Sequence, residues 1–325
     1  MAIPKSVYFK GQIVPYADAK IGVMTHALNY GTAVFGGIRG YWNNDEEQLY
    51  LFRPRDHYRR FLQSCKIMVF DFNHTPESLT QLTLDLMRAD GYYEDVYIRP
   101  LAYKADEAIG VKLHGLIDEL TIFAVPFNKY VANDTNAHVT VSSWRRVDDN
   151  SVPARGKISG AYVNSALIKT DAVRAGFDEA LVLNQNGHVS EGSAMNVFVM
   201  RDGKLITPPI TENILEGITR STVMELARNE LSLDVIERPI DRTEVFICDE
   251  LFMTGTAAQV TAVTRVDQRP VGNGTIGPVA AELRKVFDAV VRGRHPDYKH
   301  WNEPVYMKTE ENAFFPNGLK VGASS

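Results

Sequence analysis

Apolar positions along this 325-residue chain alternate between a period of two and a helical period, and the changes of period mark its elements. Residues 6–14 alternate on either side of Lys10-Gly11, which predicts a hairpin, and 33–41 and 49–52 read as further strands. At Pro54 the pattern becomes helical, with Tyr58, Phe61, Leu62 and Cys65 on one face. Thr75-Pro76-Glu77-Ser78 is a start signal for a second helix, ending near Gly91, and strands at 95–103 and 119–125 complete a first lobe. Pro126 to Asn136 has little periodicity and reads as a connection between lobes. Beyond it, Asn186-Gly187 and Asp202-Gly203 separate short strands as two-residue turns. Helices are expected at 162–175, 219–231 and 278–292, and strands near 179–184, 194–200, 233–238 and 249–265. No internal repeat is visible. From about Arg294 the chain is polar with aromatic patches, and its last residues are expected to be mobile.

These elements predict a mixed α/β (α+β) protein in two lobes: a small N-terminal α/β lobe (1–126), a connection (127–136) and a larger C-terminal lobe (137–325). Composition then narrows the function classes. With 45% hydrophobic and 23% charged residues and a formal charge of −5, the chain has no basic block that would suit nucleic acid. No apolar run approaches a membrane span, and the start lacks a signal-peptide core. Cys65 and Cys248 are far apart, so neither a disulfide framework nor zinc spacing follows, and a reducing cytoplasm is the expected location. The eight histidines are scattered with no His-x-x-x-His pair, so no metal site is expected.

What remains is a series of small motifs. Lys157 lies in Val-Pro-Ala-Arg-Gly-Lys-Ile-Ser-Gly-Ala-Tyr162, on small-residue backbone just before a helix. Most lysines are solvated, but such a place can bring an amine against a flat ring, where desolvation lowers its pKa. Glu191 follows the Asn186-Gly187 turn. It is an ordinary hairpin glutamate unless a ring nitrogen faces it. Gly217-Ile218-Thr219-Arg220 opens a helix and suits a phosphate, or is a plain helix start with Thr219 as its cap. Gly255-Thr256-Ala257-Ala258 ends a strand with amides that an anion can approach. Arg60, at the edge of its helix's apolar face, supplies a fixed positive charge. Singly, each is more often structural. Together they are the parts that hold an aldehyde cofactor bearing a phosphate and a ring nitrogen.

The combination resembles the branched-chain amino acid aminotransferases, pyridoxal-phosphate enzymes of fold type IV. The resemblance runs from about Tyr8 to Val291. Its motifs are His26-Ala27-Leu28-Asn29-Tyr30-Gly31-Thr32, Val34-Phe35-Gly36-Gly37-Ile38-Arg39, Tyr97-Ile98-Arg99-Pro100, Ser190-Glu191-Gly192, Gly217-Ile218-Thr219-Arg220 and Phe252-Met253-Thr254-Gly255-Thr256-Ala257-Ala258. It implies a barrel-like core in the larger lobe. It implies that Lys157 carries pyridoxal 5'-phosphate, Glu191 faces the pyridine nitrogen and Tyr162 the phenolic oxygen. Arg60, Ile218, Thr219 and Thr256 would bind the phosphate. Phe35, Gly37, Arg39, Tyr97, Arg99 and Tyr130 would form the substrate pocket, with Tyr30 and Val111 entering from the second subunit of a homodimer. The amides of Thr256 and Ala257 would take the substrate α-carboxylate. The implied reaction moves the amino group of leucine, isoleucine or valine to 2-oxoglutarate. A D-amino acid or (R)-amine transaminase and an aminodeoxychorismate-type lyase share these cofactor residues, and a non-catalytic binding protein on the scaffold is a further alternative. Tyr97-Ile98-Arg99 favours the branched-chain type.

By strand alternation Phe35, Gly37 and Arg39 share a face, offering an aromatic wall, a gap and a charge. The chain departs from the family at Gly36, usually an acid, and at Phe127, often tryptophan. Residue 36 is expected to point away from the pocket. Gly272-Asn273-Gly274-Thr275-Ile276-Gly277 fits G-x-G-x-x-G before a helix, but no strand and acid follow as a dinucleotide site requires, so a glycine-rich turn is expected.

Overall fold

The computed structural model describes residues 3–127 and 133–307. Tyr130, the middle of the expected connection and the chain beyond residue 307 lie outside the described residues.

An antiparallel eight-stranded sheet builds the first lobe. The predicted hairpin is Ser6–Phe9 with Gln12–Pro15, and the two long central strands, Val96–Lys104 and Asp118–Pro126, pair along their whole length. Helices Pro54–Ile67 and Pro76–Asp90 cover one face. Thr75 and Ser78 cap the second reciprocally, and Gly91, in the left-handed region at φ 61°, ends it. Alternation decides which side chains meet those helices. Val96 and Ile98 join Tyr58, Phe61, Leu79 and Met87 in the core, so Tyr97 and Arg99 are carried on the opposite face.

The expected strand 33–41 is two strands, Ala33–Phe35 and Ile38–Asn43, on one unbroken register. Phe35 lies opposite Leu101 and Ile38 opposite Ile98, so the break falls opposite Pro100. The amide of Gly36 donates to the Pro100 carbonyl at 2.8 Å, and proline has no N–H to return. A Cβ on Gly36 would stand 2.6 Å from the Pro100 side chain on the helix-covered face. Residue 36 therefore points away from the opposite face, as alternation requires.

The second lobe is a nine-stranded mixed sheet. Ala137–Arg145, a strand not among those expected, has parallel neighbours on both sides, Glu179–Leu183 and Gln259–Val266. The expected strand 249–265 is a hairpin, Glu250–Gly255 and Gln259–Val266, turned at Thr256-Ala257-Ala258. Strand Val189–Gly192 is followed after residues 193–195 by Asn196–Arg201, yet four strands separate the two in the hydrogen-bonded order. So short a link between such distant strands requires the sheet to curl, which makes the barrel-like core expected of this lobe. Helices Tyr162–Arg174, Ile218–Asn229 and Pro278–Val291 correspond to the three expected here.

The lobes share apolar core. Tyr41 and Phe52 of the first sheet pack in one cluster with Phe198, Phe252, Phe287 and Trp301. Strand Asn302–Pro304 returns to pair with Gln48–Phe52 at the edge of the first sheet. Phe52, 4% exposed, has Phe287 and Trp301 at 5.7 and 6.1 Å between ring centroids. Phe52→Ala should cost about 3–5 kcal/mol and loosen both lobes together, as measured by urea unfolding followed by near-UV circular dichroism. A loss confined to one lobe, seen as two separated transitions, would contradict a shared core.

Candidate active site

Lys157 sits where the lobes meet, and its backbone is held from both sides. Its N–H donates to Ser64 Oγ at 3.1 Å, and its carbonyl accepts the Phe35 amide at 3.0 Å. Three residues on, Gly160 packs against Gly31 so closely that a Cβ on Gly31 would lie 2.8 Å from the Gly160 Cα. The side chain is therefore delivered from a clamped segment. Lys157 Nζ donates to Tyr162 Oη at 2.5 Å and lies 4.8 Å from the Phe35 ring centroid. Burial pushes the ammonium down to about 7, Arg60 and Arg99 push it the same way, and Tyr97 and Glu191 oppose them. Burial, reinforced by Glu191, pushes the Tyr162 hydroxyl up to about 12, so it stays a neutral phenol.

Glu191, on Val189–Gly192, is 3% exposed and faces the same cleft. Its carboxylate accepts from the amide of Leu215 and from Asn196 Nδ2, each at 3.1 Å, and pairs with Arg146 Nη2 at 2.8 Å. Burial raises this carboxyl above the ordinary glutamate value, while Arg146 and the Leu215 amide hold it back.

Two helix starts follow glycine motifs, one expected to be a turn and the other suited to a phosphate, and the structure separates them. At Pro278–Val291, behind the glycine-rich turn, the Glu250 carboxylate accepts the amides of Val279 and Ala280 at 3.0 and 2.9 Å. A protein carboxylate already fills the place a pyrophosphate would need, so this is a turn and a capped helix. At Ile218–Asn229 the cap is Gly217 rather than Thr219, and among the described residues no side chain bonds to the first amides. Gly217, Ile218 and Thr219 line the cleft, and so does Arg60, whose Nη1 donates to the Glu216 carbonyl at 2.9 Å. A Cβ at 217 would run into Asn196 Oδ1. Arg53, at the start of helix Pro54–Ile67, ties that helix to Ile218–Asn229 by donating to Thr222 Oγ1 at 3.0 Å. An open helix N-terminus with a guanidinium beside it is an anion site.

On the other side of Lys157 the first sheet supplies a wall. Arg99 Nη2 donates to Tyr97 Oη at 3.1 Å, and its guanidinium lies 4.5 Å from the Phe35 ring centroid. The expected gap at Gly37 is occupied: a Cβ there would collide with the Tyr97 hydroxyl. Phe127 packs on Tyr97 at 5.3 Å between centroids. Thr256 and Ala257, in the hairpin turn, close the cleft between this wall and the open helix start.

Phe35, Gly37, Arg60, Tyr97, Arg99 and Lys157 thus converge with Tyr162, Glu191, Ile218, Thr219, Thr256 and Ala257 on one cleft. Arg39 does not, and Tyr30 and Val111 were expected from a second subunit. Arg39, 3% exposed, lies behind the wall, where it donates to the carbonyls of Ala257 at 3.3 Å and Phe127 at 3.0 Å. It braces the turn instead of lining the cleft. Tyr30 accepts the Gly110 amide at 3.1 Å, beside Val111, which is 77% exposed, and neither lines this chain's own cleft. Arg146, Asn196 and Thr254 line it without having been anticipated. An arginine after Trp144-Arg145 and an asparagine opening a strand carry no signal of their own.

These residues fit pyridoxal phosphate: a desolvated amine, an opposed carboxylate, a neutral phenol and an anion site. Residues 33–266 match the model of amino-transferase class IV. The chain belongs to the class IV aminotransferases, which use pyridoxal phosphate. It is 47% identical to a probable branched-chain-amino-acid aminotransferase of Aquifex aeolicus over 93% of this chain and 97% of that one. It is 37% identical to the branched-chain-amino-acid aminotransferase of Escherichia coli (strain K12), over 92% and 97%. Among solved structures, the branched-chain aminotransferase from Thermoproteus uzoniensis with norvaline superposes with a TM-score of 0.89 at 40% identity, over 93% of this chain and all of that one (100%). The branched-chain amino acid aminotransferase from Thermobaculum terrenum, in its PLP-bound holo form, gives 0.89 at 40%, over 94% and 100%.

As pH rises through about 7, Lys157 passes from ammonium to amine. Condensation of this aminotransferase with added pyridoxal phosphate, followed by absorbance, should accelerate across that range and then level off. A rate that climbs only near the ordinary lysine value, about 10.4, would contradict a desolvated amine.

Proposed function

We propose that this aminotransferase exchanges amino groups between branched-chain L-amino acids and 2-oxoglutarate, giving branched-chain 2-oxo acids and L-glutamate. One observation carries the reading: Lys157 and Glu191 enter a single cleft whose far side is an aromatic wall holding one arginine, Arg99. The similarity to branched-chain enzymes over nearly the whole chain supports it.

Bound pyridoxal phosphate supplies an aldehyde that takes up amines and a ring that accepts electrons from the substrate Cα. The residues do the rest. Arg60 and the amides of Ile218, Thr219 and Thr256 hold the phosphate. Lys157, a neutral amine above about 7, takes the proton from the substrate Cα and holds it on Nζ for return. Tyr162 Oη, 2.5 Å away, keeps that amine in place. Glu191 keeps the ring nitrogen protonated. The amides of Thr256 and Ala257 take the α-carboxylate, with the turn braced by Arg39.

The wall explains how one site serves two unlike substrates. Phe35 and Tyr97 offer aromatic surface to an aliphatic side chain. Arg99 lies among the same rings and meets the second carboxylate when glutamate or 2-oxoglutarate occupies the site. A homodimer in the cytoplasm belongs to this reading. Tyr30 and Val111 stand on a face that also exposes Val23, Leu28 and Ile109 at 83%, 61% and 78%, apolar surface that a second copy would cover and bring to its partner's cleft. Among the described residues no helix is long and apolar enough to cross a membrane.

Lys157→Ala should abolish the borohydride-reducible imine and lower kcat by roughly 10⁴-fold; full turnover in that variant refutes the role of Lys157. Arg99→Ala should raise the KM for 2-oxoglutarate roughly 10–100-fold and that for leucine far less, with the reverse pattern overturning the division of the pocket. A comparison of leucine, D-alanine and (R)-1-phenylethylamine as donors under one assay should favour leucine. Preference for either of the others, or pyruvate release without an acceptor, would reassign the reaction.

A further inference from the structure

The surroundings of Glu191 contain a residue to which neither the family resemblance nor the reaction assigns a part. Glu191 Oε2 accepts two hydrogen bonds, from the Leu215 amide and Asn196 Nδ2. Oε1 is ion-paired with Arg146 Nη2 at 2.8 Å. A carboxylate has about four lone-pair sites, so the two donors occupy Oε2, and Oε1, with the guanidinium beside it, is left to accept from a group in the cleft. Asn196 is itself fixed, since the same Nδ2 donates to the Leu215 carbonyl at 2.9 Å. Arg146 is fixed as well: its amide donates to the Leu183 carbonyl at 2.9 Å and its Nε to the Asn213 carbonyl at 3.3 Å. Its guanidinium reaches the cleft wall, and the residue is 9% exposed.

The donors on Oε2 are neutral. Among the described residues, Arg146 is the cation ion-paired with Glu191. A carboxylate removed from water takes up a proton unless a charge of the opposite sign is close. Protonated, it would offer an O–H to a facing nitrogen instead of accepting an N–H from it, and could no longer keep a pyridine nitrogen charged.

We propose that Arg146 is a positioning residue for amino-group transfer: it keeps Glu191 ionised, so that the carboxylate accepts the N–H of the ring nitrogen. This rests on the reading of Glu191 as the partner of that nitrogen. Burial drives the Glu191 carboxyl upward and Arg146 is the largest influence against it, in line with the geometry.

The test uses the full chain with glutamate labelled by ¹³C at the side-chain carboxyl, titrated by NMR, the Glu191 signal being assigned from Glu191→Gln. In Arg146→Met the Glu191 titration should move to higher pH than in the wild type, and Arg146→Lys should bring most of that shift back. A residue that served only packing would leave the titration where it was, and that result overturns the proposal. Should Arg146→Met fail to fold, Arg146→Gln keeps a hydrogen-bond donor without the charge and answers the same question. Reconstitution with pyridoxal phosphate labelled by ¹⁵N in the ring separates the two readings. With both correct, the ring-nitrogen signal moves toward that of a neutral pyridine in Arg146→Met. If the Glu191 titration moves while the ring nitrogen stays unchanged, the assignment of Glu191 to that nitrogen fails and the part given to Arg146 in holding its charge stands.

Discussion

The cleft depends on keeping the Lys157 amine short of a proton at neutral pH, which requires little water and neighbouring positive charge at one point of the chain. Lys157 has both. Arg60 and Arg99 approach it from the two sides, one beside the open helix start and the other from the sheet wall, and Glu191 is the opposing anion. Gathering these cations away from water destabilises the free protein, and it persists because the surrounding backbone is over-determined. Ser64 and Phe35 hold Lys157 by its own amide and carbonyl, while Gly31 and Gly160 leave no slack behind it. A ligand bringing a phosphate and a carboxylate meets charges that are already waiting.

That demand also accounts for the division between the lobes. The first sheet gives its helix-covered face to the core and its other face to the cleft, so Tyr97 and Arg99 are presented by the same alternation that buries Val96 and Ile98. The second lobe contributes the curled end of a barrel, where Glu191, Asn196 and the Thr256-Ala257 turn come together. Neither half contains the chemistry alone. The apolar cluster around Phe52, Phe287 and Trp301 fixes their distance. Arg53 and Arg39 cross the seam to set the open helix start and the Thr256-Ala257 turn.

Charged groups in this seam fall into two kinds. Some are satisfied within the chain: Glu250 closes one helix start, and Arg39 braces two carbonyls. Others, Arg60, Arg99, Lys157 and Glu191, are supported from behind and open toward the cleft. That difference, more than the identity of any residue, distinguishes the site from the rest of the molecule. It is why two similar helix starts have opposite fates.

Local pattern alone determined most elements, because helix faces, caps and glycine turns are set by neighbouring residues: Tyr58 and Phe61 at helical spacing, Thr75 with Ser78, Asn186-Gly187. Lys157, Glu191, Arg60 and the Gly217 start stood out only as a series, since each taken singly reads as structural. What local pattern missed depended on partners far along the chain. The break at Gly36 comes from the missing amide of Pro100, and the filled place at Gly37 from the Tyr97 hydroxyl. The turn at Thr256 splits a run that lacks the Asn-Gly or Asp-Gly pair marking the other hairpins, and the strand at Ala137 lies between parallel neighbours it meets only in the fold. Arg39 has the right strand phase for the cleft but is drawn behind it by carbonyls of residues 127 and 257. Arg146 matters only because the folded chain sets it against Glu191. Side-chain phase is a property of sequence; which charge stands opposite which is decided by packing.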